Sequence, residues 1–164
     1  MKQNPLSPAI QSKKIAQRCV PLNEFSRILN VHALGIEPQL LQFAASSHER
    51  FKIRDRLDLV SLDEFEVTCQ ISYNFVRGSI SIEAVLNARV VQSCVITLSP
   101  VYETVRETVL IELLQYGSPE EDNMDSLYDD EPEKVILGPD GTIDLGEIFV
   151  QYLSLAVNPY PRLA

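Results

Sequence analysis

Four cations within seven residues, Arg50, Lys52, Arg54 and Arg56, are the grouping in this 164-residue chain with the clearest chemical potential. They alternate with Phe51, Ile53 and Leu57, so an extended segment would set all four on one side of an apolar-backed strand. Such a ribbon could follow a phosphate backbone. A helix reaching residue 56 would instead send Arg50 and Arg54 one way and Lys52 and Arg56 roughly the opposite way. It would leave solvated charge beside Glu49, Asp55 and Asp58. Phe51 is the one adjacent aromatic, and it reads more readily as core than as a platform for a base.

Elsewhere the residue types that carry catalysis are sparse. His32 and His48 are the only histidines, and neither stands in a recognisable arrangement with Cys, Asp or Ser. Cys19, Cys69 and Cys94 form no C-x-x-C pair and leave one thiol over in any disulfide scheme. That pattern fits buried, inert, reduced thiols and gives a zinc site little material. There is no glycine-rich phosphate loop, dinucleotide fingerprint or nucleophile elbow. The expectation is a protein that is not an enzyme, with no catalytic residue, metal, cofactor or small-molecule substrate.

The net charge of −9 is divided unevenly. Residues 1–60 carry nine Lys/Arg against five Asp/Glu, a balance of +4, whereas residues 61–164 carry five against eighteen, a balance of −13. Eight of those acids lie between Glu120 and Glu133 with no base among them. Such a run repels itself, so residues 117–135 are expected to form a mobile acidic loop, either solubilising or a docking site for a basic partner. Residues 1–21, polar and basic with three prolines, read as a flexible arm ahead of a single domain over 22–164. No apolar stretch approaches the ~18 residues of a membrane helix and no secretory signal is visible, so a cytoplasmic location without membrane contact is expected.

The elements that must position these groups follow from periodicity. Apolar residues fall on Phe65, Val67, Cys69, Ile71, Tyr73 and Phe75, then on Ile80, Ile82, Ala84, Leu86, Ala88 and Val90. A period of two on each side of Arg77-Gly78 predicts a hairpin. Odd and even sets share one face of an antiparallel pair only when partner numbers have an odd sum, and a two-residue loop pairing Val76 with Ser79 meets that condition. This register sets Cys69 opposite Leu86 and predicts a bulge or strong coiling near Asn87–Ser93. Phe25–Leu34 suits a short strand, Leu57–Leu62 a strand or connector, and Val101–Leu114 a third long strand. Pro38 followed by Leu40, Leu41, Ala44, Ala45 and His48 predicts a helix of about three turns.

Near the carboxy terminus, Gly138-Pro139-Asp140-Gly141 is turn chemistry, and Asp144 with Glu147 has capping-box spacing. Leu145, Ile148, Phe149, Tyr152, Leu155 and Ala156 then form the apolar stripe of a helix that Asn158-Pro159 stops. The fold class is α+β: a curved antiparallel sheet of four or five long strands, one helix before it and a C-terminal amphipathic helix. Gln92 and Cys94 continue the inward set of the second hairpin strand, which places an amide among apolar side chains. Either a bulge near Val90-Val91 turns Gln92 outward or pairs it with backbone, or the bulge presents Gln92 and Ser93 as a polar recognition spot.

Two sets of residues carry a resemblance. The run Val91–Val101, with Gln92, Ser93, Cys94 and Pro100, is followed after the acidic gap by Ile143–Ile148, with Asp144 and Leu145, and by Leu155–Arg162, with Pro159, Tyr160, Pro161 and Arg162. Together they resemble the YceD family, bacterial and plastid proteins called large ribosomal RNA subunit accumulation proteins. The resemblance covers about Phe25 to Arg162 in element order. It implies a cytoplasmic factor that supports accumulation of 23S ribosomal RNA, with that RNA or its precursor, a large-subunit ribosomal protein, or both as partners. It supplies no catalytic residue. Some relatives have a second cysteine in a C-x-x-C arrangement where Thr97 stands here, so no metal or redox role is carried over. The alternative is a protein-only adaptor that uses its sheet edge or acidic loop and never touches RNA.

Overall fold

The computed structural model describes residues 23–115, 117 and 132–163. The arm expected at 1–21, Cys19 and most of the acidic run lie outside the described residues. In chain order the elements are β1 (Ile28–Asn30), β2 (Gln39–Ala44), α1 (Ser47–Arg56), β3 (Ser61–Asn74), β4 (Ser79–Ser93), β5 (Pro100–Leu114), β6 (Glu133–Ile136), β7 (Thr142–Asp144) and α2 (Leu145–Ala156). A five-stranded sheet runs β2-β3-β4-β5-β6, antiparallel except where β6 lies parallel to β5, and β1 pairs with β7 in a small second sheet. The α+β class, with one helix ahead of the long strands and one after them, matches the periodicity argument.

The central hairpin has the expected parity but a different loop. Val67 faces Leu86, Cys69 faces Ala84 rather than Leu86, and Ile71 faces Ile82, so both apolar sets share one buried face. The loop is four residues, Phe75 to Gly78, instead of two, because Asn74 builds it. Its Oδ1 accepts the backbone N–H groups of Val76 (3.1 Å) and Arg77 (3.3 Å), while Gly78, at φ +66°, donates to Asn74 O at 2.8 Å. The expected bulge near Asn87–Ser93 is absent from β4, which pairs regularly with β5 from Ile80–Leu113 to Ser93–Pro100. The register shift falls instead in β3, between Leu62 and Glu64 and opposite Arg89 and Val90, so the partner strand absorbs the irregularity.

The helix expected from Pro38 is not formed; that segment is β2. Leu41 and Phe43 alternate toward the core, opposite Cys69 and Val67, and ladder bonds to β3 override the helical spacing. The helix starts later, at a complete capping box: Ser46 Oγ accepts Glu49 N–H (3.3 Å) and Glu49 Oε2 accepts Ser46 N–H (2.8 Å). The strand expected over Phe25–Leu34 shrinks to β1 followed by one 3-10 turn, Val31–Ala33. Glu133–Val135, expected within the acidic loop, belong to β6.

Strand β3 packs against α1, and α2 lies against β5, β4 and β1. Phe25 meets Phe65 edge to face at 5.3 Å, and Phe43 lies 6.4 Å from Phe149. The buried face of α2 is Leu145, Phe149, Val150 and Leu153, whereas Leu155 of the expected stripe is 82% exposed. No helix among the described residues is long and apolar enough to cross a membrane.

Candidate functional site: the β4–β5 hairpin tip and the carboxy-terminal tail

The cationic segment is helical, so the ribbon of Arg50, Lys52, Arg54 and Arg56 does not exist as a one-sided strand. Its guanidinium groups are engaged close to home. Arg50 donates to Ala45 O at 2.8 Å and to Ser47 Oγ at 3.3 Å. Arg54 bonds Asp55 and lies 4.3 Å over the Phe51 ring, so that aromatic carries a neighbouring cation. Arg56 bridges Glu147 (2.6 and 2.8 Å) and Glu24 (3.0 Å), tying α1 to α2 and to the segment before β1. The Glu147 hydrogen bonds push the Arg56 guanidinium further up, and the same bonds lower the Glu147 carboxyl. Lys52 alone of the four makes no side-chain hydrogen bond or ion pair among the described residues.

Asp144 and Leu145, expected as motif residues, sit at the same corner. The Asp144 carboxylate caps α2, accepting Gly146 N–H at 3.0 Å, and also accepts Asn23 Nδ2, Ser26 Oγ and Arg27 N–H, each at 2.8 Å. Burial raises its carboxyl, yet these donors outweigh that and hold it below the usual range. Glu147 does not complete the capping box, because Arg56 takes it. Gly146 permits the backbone to close in: a Cβ there would stand 2.3 Å from Phe25 O. Leu145 is fully buried. This part of the family-like pattern therefore builds the fold.

The other motif residues meet where β4 ends, around Ser93. Cys94 to Ser99 form the loop joining β4 to β5, closed by Cys94 N–H to Ser99 O (2.8 Å), Leu98 N–H to Cys94 O (2.9 Å) and Ser93 Oγ to Leu98 O (3.2 Å). Pro100 begins β5 opposite Ser93. The tail after α2 docks on this loop: Gln92 Nε2 donates to Asn158 O at 2.9 Å and Val95 N–H to Pro161 O at 3.0 Å. Pro161 is buried, and Asn158 Oδ1 takes Tyr160 N–H at 2.9 Å. Gln92 thus reaches tail backbone without any bulge in β4, while its Oε1 is buried without a donor among the described residues. Pro159, Tyr160 and Arg162 are exposed.

The two described cysteines differ in surroundings. Burial alone pushes the Cys69 thiol up to about 11. Around Cys94, itself 2% exposed, the Thr97 hydroxyl and the backbone N–H groups of Leu163, Thr97 and Ile96 bring the thiol down to about 6. Hydrogen bonding to the charged form, which the expectation of an inert thiol did not foresee, makes Cys94 a node between loop and tail.

What the junction leaves outward is apolar: Ile96 is 71% exposed, Leu98 78% and Tyr160 71%, with Val95 and Leu163 about half exposed. Leu98 is also held at φ +60°, a left-handed conformation uncommon for a branched side chain. Sequence reasoning found this segment through its motif but not as a surface. Ile96 and Leu98 continue the even alternation of β4, so parity by itself assigns them to the inward face. His32 and His48 both lie at the surface, and His32 abuts Gly141. No cluster of three or more His, Cys, Asp or Glu that could hold a metal occurs among the described residues.

Fold and site together define an α+β protein whose two most distinctive segments close on each other beneath an exposed apolar tip. Comparison of the chain with family models, with curated proteins and with solved structures finds no match.

Proposed function

We propose that this chain is a noncatalytic cytoplasmic factor that supports 23S ribosomal RNA accumulation and large-subunit biogenesis. It acts by contacting a large-subunit ribosomal protein, the 23S RNA or its precursor, or both. The observation that carries this reading is the tip itself: Ile96, Leu98 and Tyr160 are held outward on backbone that Gln92, Val95 and Cys94 tie to the tail. Exposed apolar residues on a fixed frame are the usual anchor of a protein contact. They also coincide with the residues that carry the family resemblance.

The protein-only adaptor gains support from a separate observation, the engagement of Arg50, Arg54 and Arg56 within the fold. An acidic protein reaches RNA only through a local basic patch, and those three cations are already paired or bonded. A tagged pull-down at low salt, with and without ribonuclease, separates the readings. Large-subunit proteins retained after digestion indicate direct protein contact, and their loss indicates an RNA tether. Recovery of neither 23S RNA nor large-subunit proteins above background overturns the proposal. Filter binding to 23S fragments, with Lys52→Glu, Arg54→Glu and Arg56→Glu combined, tests the cations directly. Salt-dependent affinity that these reversals leave unchanged removes α1 from any RNA contact.

A further inference from the structure

We propose that the edge of β2, unpaired among the described residues, together with the cavity at its start, receives an extended protein segment whose residues alternate between apolar and basic. Strand β2 ends the five-stranded sheet. Its six residues carry no charge, no proline and no register shift, which are the devices that keep exposed edges from pairing. The opposite edge strand, β6, is shorter and carries Glu133 and Lys134. Outside its ladder with β3, the backbone of β2 receives one hydrogen bond among the described residues, a long one from Arg27 Nη2 to Ala44 O at 3.4 Å.

The chemistry of the occupant follows from what lies on each side of that edge. An added strand alternates as β2 does, so one set of its side chains falls on the core side and the other on the outer face. On the core side, at the start of β2, is a cavity of about 270 Å³ walled by Val31, Leu34, Ile36, Ile71, Tyr73 and Phe75, which suits one large apolar side chain. On the outer face stand Glu66, the partner of Ala44, and Glu83, the partner of Gln70. Neither has an ion pair among the described residues, nor does Glu37 at the cavity rim, and β2 and β3 contain no Lys or Arg. An added strand would lie two strand spacings, about 10 Å, from Glu66 and about 14 Å from Glu83. Cations on its outer set would thus meet Glu66 through long side chains and Glu83 as part of the local negative field. A second copy pairing β2 with β2 would bring the same acids together, which disfavours self-association as the use of this edge.

The probe is a short fluorescent peptide alternating Lys with Val and carrying one Phe at an apolar position, titrated into the full chain and read by anisotropy. Saturable binding is expected, with Phe→Asp in the peptide or N-methylation of alternate peptide nitrogens weakening it at least about tenfold through loss of the apolar anchor or of edge hydrogen bonds. Glu66→Lys with Glu83→Lys in the protein is expected to weaken it about fivefold and to flatten its salt dependence. Absence of saturable binding overturns the proposal, as does equal binding of the N-methylated peptide. Preferential saturation by a single-stranded RNA oligomer, or sedimentation showing a dimer broken by the same Lys substitutions, overturns it in favour of another occupant. The titration contains no ribosomal component, so its failure is distinct from failure of the pull-down.

Discussion

The α1–α2 corner and the hairpin–tail junction both pin distant stretches of chain together, yet they leave opposite remainders. At the corner, charge does the pinning: Asp144 gathers donors from Asn23, Ser26 and Arg27, Arg56 bridges Glu24 and Glu147, and Arg27 bonds Glu49 at 2.8 Å. The charged groups are thereby consumed. At the junction, backbone amides, one Gln and one thiol do the pinning, and the side chains left facing solvent are Ile96, Leu98 and Tyr160. The cation-rich stretch that looks most like a binding surface in the sequence is thus largely a fold-building element. The exposed apolar surface lies instead at the loop between β4 and β5.

That contrast can be broken from the corner first. Gly146→Ala should destabilise most, by about 2–3 kcal/mol, because its methyl group would meet the Phe25 carbonyl. A denaturation midpoint like that of the wild-type chain would show that the corner is loosely packed. Asp144→Ala should cost about 2 kcal/mol through loss of the α2 cap and of donors that then go unsatisfied, measured by the same titration. Glu49→Gln should cost less than about 1 kcal/mol at neutral pH, since the pair with Arg27 is partly exposed. Its pH dependence has a definite sign. The Arg27 hydrogen bond lowers the Glu49 carboxyl from 4.5 to about 2, so its stabilisation is fully present above the unfolded value and fades as pH falls through the folded one. The wild-type advantage over Glu49→Gln should therefore vanish toward pH 2; an advantage constant across that range would mean that the carboxylate charge is not its source.

The smallest effects on stability belong to the junction. Ile96→Ser combined with Leu98→Ser should change unfolding free energy by no more than about 0.5 kcal/mol, since both side chains are mostly in solvent. Leu98→Gly should be neutral or slightly stabilising, as glycine adopts positive φ without cost from a Cβ. A loss of several kcal/mol in either variant would mean that the tip is part of the core rather than a surface.

Much of this architecture was legible because strand parity survives errors in detail. The hairpin of β3 and β4 follows from alternation alone, although the Asx turn at Asn74 lengthened its loop and moved Cys69 from Leu86 to Ala84. The cap at Asp144 was legible too, but its bonds to Asn23, Ser26 and Arg27 span more than a hundred residues, and local spacing carries no record of them. Leu40, Leu41, Ala44 and Ala45 fit a helix by spacing while sheet pairing made them an edge strand and its end. The local signal for the start of α1 is the capping box Ser46-x-x-Glu49, eight residues after Pro38. Strand β6 was hidden because its first residues continue the acidic run. For the site, the motif marked the right segments, but nothing local indicated that Asn158 and Pro161 would close on Gln92 and Val95.

In the proposed function the exposed tip, rather than the cations of α1, meets the large-subunit assembly. The most direct test of that contact is the level of 23S relative to 16S ribosomal RNA in cells whose only copy of the protein carries Ile96→Ser and Leu98→Ser, beside cells carrying Lys52→Glu. Lys52 is the cation of α1 whose side chain has no ion pair among the described residues. The tip variant, folded and present at wild-type amounts, should lose 23S RNA while the Lys52 variant retains it. Normal 23S in the tip variant together with loss in the Lys52 variant would contradict the proposed contact.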